Sequence, residues 1–243
     1  MITLYQFPGM WGLPNASPFC LKIETYLRMA EIPYEIRFVR DPRKSPKGKL
    51  PFVKIDQKLI PDSEIIIDYL KGKFGDVLDK NLNTEQKALS ALLDDVFSER
   101  LYWIMLYMRW QVDAVWPLLR DTFFGDLSFF KKIFLPGMIR KNMQKSLYFQ
   151  GTGRHSYDEV LQMGYKTLDA IASVLGEKKY FHGTELTSID ATAFGFLANI
   201  AWFPYDCNLK THLHKHKNIL FFCDKMWSTF YPEISKPFMI TNF

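Results

Sequence analysis

The sequence predicts an α/β N-terminal domain followed by an all-α C-terminal domain, and three observations carry that reading. Strand-like and helix-like runs follow one another in the order β-α-β-β-β-α within about the first 75 residues. From Asn81 onward helical periodicity dominates and strand signals become few. Apolar residues make up 48% of the 243 positions, ample for a buried core, while mean hydropathy stays slightly negative. The domains fall at residues 1–76 and 85–243, with 77–84 as the linker.

Each element has a local cause. Ile2 to Phe7 alternates and is rich in β-formers, so it reads as a strand. Pro8 to Ala16 is a loop punctuated by Pro8-Gly9, Gly12 and Pro14-Asn15. Ser17-Pro18 opens a helix, serine as N-cap and proline in the first turn. Phe19, Ile23, Leu27 and Ala30 then recur at helical spacing. Tyr34 to Val39 reads as a second strand, making a right-handed βαβ unit. Phe52 to Asp56 and Lys58 to Ile60 form a tight hairpin around Gln57. Asp62-Ser63 caps a helix over Glu64 to Phe74, with Ile66, Ile67, Leu70 and Phe74 inward and Gly75 ending it.

Composition excludes several classes. Met1 leads straight into a strand with no charged n-region, so no signal peptide is expected. Arg109 and Asp113 interrupt the most apolar window, Leu101 to Leu119, too soon for a membrane span. Cysteines at 20, 207 and 223 form no disulfide framework and fit a reducing, cytoplasmic setting. Arg37 to Lys49 carries six basic residues and one acid, and Leu127 to Arg154 carries six and none. Either stretch is a solvated face or an attractor for anionic surfaces. No nucleic-acid motif accompanies them. The greasy, basic run Phe129 to Leu135 reads as an interfacial or partner-binding segment that makes peripheral membrane contact.

Three features of the first domain converge if that topology holds. Ser17 sits where the helix dipole and free amides favour an anion, and its hydroxyl can donate one more hydrogen bond. A thiolate is the natural guest. A free thiol is about 3% ionised at pH 7, and lowering its pKa by roughly two units requires about 2.7 kcal/mol of preferential thiolate stabilisation. Ser17 equally reads as a plain helix cap. Leu50-Pro51 precedes the hairpin; trans is the commoner state, whereas cis would turn the Leu50 backbone outward to pair with a peptide-like ligand. Asp62-Ser63 offers a hydroxyl and free amides to a carboxylate, with Asp62 available to an amine, or else caps its helix and nothing more.

The series Ser17-Pro18-Phe19-Cys20, Lys49-Leu50-Pro51-Phe52 and Asp62-Ser63 resembles the glutathione-binding half of the glutathione transferases, which join a thioredoxin-like domain to a helical one. Leu186 to Ala191 resembles the family's helix-start motif, with Thr187 and Asp190 as a capping box. Ser17 to Leu27, Ser45 to Phe52, Gly151 to Ser156 and Ser188 to Gly195 are most similar to the failed axon connections branch and its bacterial relatives, near the metaxins. The resemblance implies that Ser17 assists a glutathione thiolate, Leu50 pairs with the glutathione cysteine beside Pro51, and Asp62 and Ser63 hold the γ-glutamyl end. Lys49 is placed by its charge to attract the glycine carboxylate. Glutathione is thus the expected co-substrate and an apolar electrophile its partner. A homodimer is what the resemblance suggests. The alternative is a non-catalytic, metaxin-like scaffold using the Leu127–Arg154 segment, since metaxins are transport components.

The electrophile pocket is expected against the second domain's first long helix. Tyr102, Leu106, Arg109, Trp110 and Asp113 share one face there, with Trp103 and Tyr107 beside it and Trp11 as a roof; an aromatic stripe of this kind equally reads as core. Arg109 needs a partner, either Asp113 or a ligand carboxylate. Cys20 occupies a thioredoxin-like position without the first cysteine, which excludes a dithiol cycle and leaves a buried structural residue as the first reading and a one-thiol role as the second. His212, His214 and His216 have no cysteine or carboxylate at metal spacing nearby, so the stretch reads as a solvated loop and no metal is expected there. Gly151-x-Gly153 lacks a preceding strand and a third glycine, and is no nucleotide loop.

Overall fold

Inward-facing Ile2, Leu4 and Gln6 alternate with Thr3 and Tyr5, and this pattern makes β1 (Ile2–Gln6) a strand with one buried face. The computed structural model describes residues 1–236; positions 237–243, the end of the second predicted domain, lie outside the described residues. Strand β1 pairs in parallel with β2 (Tyr34–Phe38) across helix α1 (Pro18–Met29). It pairs antiparallel with β3 (Phe52–Ile55), which forms the hairpin with β4 (Lys58–Pro61). The sheet order is β2-β1-β3-β4. Helix α2 (Ser63–Phe74) closes the unit, and Gly75 ends it at φ 90°, a conformation that favours glycine. This is a thioredoxin-like domain. Ile66, Ile67 and Leu70 are buried as expected, but Phe74 is 44% exposed, because the last turn of α2, from Gly72 to Phe74, is open to solvent as a whole.

The remainder is helical. Helix α3 (Thr84–Asp95) passes through a π-helical turn, Val96–Leu101, into α4 (Tyr102–Trp110). Then follow α5 (Trp116–Phe124), α6 (Phe129–Gln150), α7 (Tyr157–Leu175), α8 (Ser188–Ala201), α9 (Asn208–Leu213) and α10 (Lys217–Phe230). Every residue of α8 from Ile189 to Ala201 is buried. The Thr187–Asp190 capping box forms: the Thr187 N–H and hydroxyl both donate to Asp190 Oδ2 at 2.8 Å.

One core runs from Ile2, Leu4, Val53 and Ile55 of the sheet, through Leu21, Ile23 and Leu27 of α1, to Phe194, Phe196 and Leu197 of α8. Helix α1 is therefore covered on both sides, which is why Lys22 is buried despite its charge. Its ammonium sits 2.7 Å and 3.0 Å from the Asp94 oxygens, and the Thr192 hydroxyl donates to the same carboxylate at 2.7 Å. One carboxylate on α3 thus ties α1 to α8. The predicted linker is tied as well: Asp79 accepts the Ser188 N–H at 2.8 Å and pairs with Lys71.

The two helices approach closely because Gly195 has no side chain. A Cβ there would lie 2.6 Å from the Pro18 carbonyl oxygen and 3.0 Å from the Lys22 nitrogen. Gly195→Ala is expected to push α1 away from α8 and to cost about 1–3 kcal/mol of stability in urea titration, as overpacking does. An unchanged denaturation midpoint would show that the interface yields freely.

Candidate functional site

The sheet register decides which loops meet. Phe52 of β3 stands opposite Tyr5 of β1 and Pro61 of β4. The loop leaving β1, the Leu50-Pro51 segment entering β3 and the Asp62-Ser63 pair leaving β4 therefore share one edge. Cys20, in the first turn of α1, packs on Leu50 and Phe52 there. Of the expected residues, Ser17, Leu50, Pro51, Asp62 and Ser63 are brought to this edge together, and Lys49 is exposed beside Leu50.

Ser17 is the N-cap of α1, with extended backbone and a half-buried side chain. Its Oγ accepts the Cys20 N–H at 3.4 Å, a long bond, and the same hydroxyl reaches the Cys20 sulfur. The hydroxyl therefore stands at the N-terminus of the helix beside the Phe19 N–H, the first amide the helix has, since Pro18 carries none. The Leu50-Pro51 bond is cis, the less common of the two states. Leu50 makes no backbone-to-backbone hydrogen bond among the described residues. Asp62 adopts φ 78°, rare for a residue with a side chain, and its Oδ1 accepts the Glu64 N–H at 3.1 Å. Ser63, the first residue of α2, is buried.

A network invisible in local sequence holds the Ser17 loop. Asn15 donates from Nδ2 to the Phe7 carbonyl at 2.6 Å and accepts the Ser17 N–H on Oδ1 at 2.9 Å. Asn199, in the middle of α8, donates to the Asn15 carbonyl at 3.2 Å. Arg109 donates from Nη1 to the Ala16 carbonyl at 2.8 Å, and from Nη2 to the Asn199 carbonyl and Oδ1 at 3.1 and 2.9 Å. Two sequence signals point to this network: Asn15 in a Pro-Asn turn before a helix, and Asn199 alone in an apolar run.

Arg109 therefore does not pair with Asp113. That carboxylate lies beyond the end of α4 and binds Arg140 at 2.7 Å instead. The Arg109 guanidinium is enclosed, 5.2 Å from the Trp11 ring and 5.1 Å from the Phe203 ring. Burial lowers its pKa to about 10, which keeps it cationic at neutral pH.

The residues expected to wall an electrophile pocket are only partly gathered. Trp11 and Trp110 both reach Phe123, at centroid distances of 5.8 and 6.2 Å, and Trp11 also meets Phe203 and Arg109. Tyr102 lies at the other end of α4 against Phe19, 5.0 Å away. Tyr107 faces elsewhere and donates to the His155 carbonyl at 3.3 Å. A cavity of about 230 Å³ is lined by Met108, Val112, Val115, Tyr157, Tyr205 and Cys207, none of them anticipated from sequence. A smaller one of about 20 Å³, touching Arg109 and Asn199, shares Met108 and Cys207 with it.

Cys20 behaves oppositely to a reactive thiol. Burial pushes its pKa up to about 12, and the Ser17 hydrogen bond offsets this only in part. Burial also raises the Cys207 and Cys223 thiols. In native protein at pH 8, Cys20 and Cys223 are expected to resist iodoacetamide, with mass spectrometry showing all three thiols modified only after unfolding. Arg109→Ala, which strands the Ala16 carbonyl and Asn199 in the interior, is expected to cost about 2–5 kcal/mol by urea denaturation. Rapid native alkylation of Cys20, or a neutral Arg109 variant, contradicts this account.

Residues 18–116 match the family described as Glutathione S-transferase N-terminal domain, and residues 164–226 match Glutathione S-transferase, C-terminal domain. The isoprene-epoxide–glutathione S-transferase of Rhodococcus sp. (strain AD45) is 33% identical over 210 residues, covering 83% of this chain and 87% of that one. Failed axon connections of Drosophila melanogaster is 34% identical over 218 residues, 85% of this chain and 51% of that longer protein. Metaxin-1 of Sus scrofa is 28% identical, covering 97% and 78%. Among solved structures, the Ceriporiopsis subvermispora glutathione S-transferase CsGST63524 in complex with glutathione superposes with a TM-score of 0.64 over 98% of this chain and 99% of that one, at 19% identity. Fold, edge geometry and relatives agree: the chain belongs to the glutathione S-transferase family.

Proposed function

We propose that this chain binds glutathione at the edge formed by Ser17, Leu50-Pro51 and Asp62-Ser63, lowers the pKa of its thiol, and transfers the thiolate to a small apolar electrophile. The observation that carries the reading is the Ser17 hydroxyl, standing at the N-terminus of α1 and held in place through Asn15 and Arg109, where a bound thiolate would compete with the neutral Cys20 thiol for its proton. The dipole of a 12-residue helix and one hydroxyl are a sufficient source for a shift of roughly two pKa units. Leu50 offers unpaired backbone groups to the peptide, Asp62 its carboxylate to the γ-glutamyl amine, and Ser63 its hydroxyl to the carboxylate; Lys49 is the charge nearest the glycine end.

An epoxide is the electrophile to test first, given the Rhodococcus relative's name. Thiolate attack on a ring carbon forms the C–S bond and breaks a C–O bond, and the alkoxide takes a proton from water. The cavity beside Cys207 and Tyr157 supplies apolar walls near α4. A cytoplasmic location and a homodimer belong to the same reading.

One observation favours a second reading, a metaxin-like binding protein without catalysis. Helix α6 leaves Phe129, Phe130, Ile133 and Phe134 between 55% and 78% exposed, interleaved with Lys131 and Lys132. No helix among the described residues is long and apolar enough to cross a membrane, so contact with lipid through α6 would be peripheral.

Calorimetry separates the two. Glutathione is expected to bind with millimolar or tighter affinity, weakened about tenfold or more in Ser63→Ala. Ser17→Ala is expected to retain binding while kcat/KM with 1,2-epoxyhexane falls about 10- to 100-fold, equivalent to about 1.4–2.7 kcal/mol. An unchanged conjugation rate removes Ser17 from the mechanism. No glutathione binding, together with salt-sensitive pelleting on phosphatidylserine vesicles, supports the second reading instead.

A further inference from the structure

The histidine-rich stretch at 212–216 is not the solvated loop that its sequence suggests. His212 lies on α9, and His216 is the N-cap residue of α10. Helix α7 packs against both helices and delivers a carboxylate to them. Asp169 Oδ1 stands 2.7 Å from His212 Nε2 and 2.8 Å from His216 Nε2. One atom from each of the three residues lies within 4.8 Å of the other two. No carboxylate stands at metal spacing along the chain; the fold supplies one from 43 residues away.

Three features make this more than a surface ion pair. Both imidazoles direct Nε2 at the same carboxylate oxygen, so the two ring nitrogens converge on a single point. The rings are substantially covered, with side-chain exposures of 15% and 22%, while Asp169 is 52% exposed, so the point of convergence opens to solvent. The His212 ring is also fixed by stacking on Tyr165, 4.0 Å between centroids and 17° from parallel. Among the described residues Asp169 forms no ion pair with a lysine or arginine that would compete for it.

We propose that Asp169, His212 and His216 form a site for one divalent transition-metal ion, with zinc the best-fitting ion. Two imidazole nitrogens and one carboxylate oxygen are the borderline donors that zinc accepts, whereas calcium and magnesium require oxygen shells. At metal–ligand distances of about 2.0–2.2 Å, tetrahedral donors stand about 3.3 Å apart. The present 2.7 and 2.8 Å separations need to open by about half an ångström, within reach of a rotation of the exposed Asp169 carboxylate. Binding requires each Nε2 to present its lone pair, so the ring proton moves to Nδ1. Three protein donors leave a fourth position to water. The ion would clamp α7 to the α9–α10 corner; none of its three ligands touches the glutathione edge or lines the cavity beside Tyr157, so the proposal stands apart from the transferase reading.

The test uses the full chain after treatment with EDTA, titrated calorimetrically with zinc sulfate at pH 7.5. One saturable equivalent is expected, at least tenfold weaker in Asp169→Asn and absent in the His212→Ala/His216→Ala double variant. Zinc at 100 times its dissociation constant is expected to raise the melting temperature of the parent protein by about 5 °C and to leave that of the double variant unchanged. Circular dichroism of the metal-free variants checks their fold, and Asp169→Asn alone decides if the double variant does not fold. No saturable equivalent in the parent protein, or one equivalent that persists with unchanged affinity in the variants, overturns the proposal.

Discussion

The Arg109 guanidinium holds the two halves of the molecule in register. It is a buried cation with no carboxylate partner among the described residues, and its charge is distributed over the Ala16 carbonyl, both oxygens of Asn199 and two aromatic faces. Such an arrangement is stable only when every donor finds its acceptor, since an uncompensated buried charge costs several kcal/mol. The Ala16 carbonyl belongs to the residue that precedes the α1 N-cap. A helix of the second domain therefore sets the position of the first domain's Ser17 directly, and Asn199 and Asn15 repeat the tie through a second route.

Helix α1 inherits rigidity from that arrangement. It is covered by the sheet on one side and by α8 on the other, and Gly195 lets the two helices meet backbone to backbone. Lys22 is tolerated inside because Asp94, whose carboxylate also accepts from Thr192, pairs with its ammonium. A site at the start of such a helix pays little ordering entropy when a ligand arrives, which is the physical sense of pre-organisation.

One turn of α1 reverses the local chemistry. At position 17 the helix presents a hydroxyl, the Phe19 N–H and its positive dipole end at a half-buried edge, an environment that favours negative charge. Three residues on, Cys20 is fully buried against Leu50 and Phe52, and an anion there is strongly disfavoured. A bound thiolate is thus welcomed where the protein's own thiol is kept protonated. The difference comes from solvent access and helix position.

The β-α-β-β-β-α order, the caps at Ser17, Asp62 and Thr187, and the inward residues Ile66, Ile67 and Leu70 were legible in the sequence because each depends on neighbours within one or two turns. Phe74 fits the same periodicity yet faces solvent, since periodicity says where a face points and not where the neighbouring layer ends. Arg109 read as a pocket residue or a partner of Asp113, and its true acceptors lie 90 or more residues away. Asp169 and the two histidines likewise come from segments that nothing in the chain marks as neighbours. Short-range sterics and hydrogen bonding determined the elements and their ends. Only the packing of α4, α7 and α8 against distant segments decided which polar groups share a space, because burial is a property of the assembled layers.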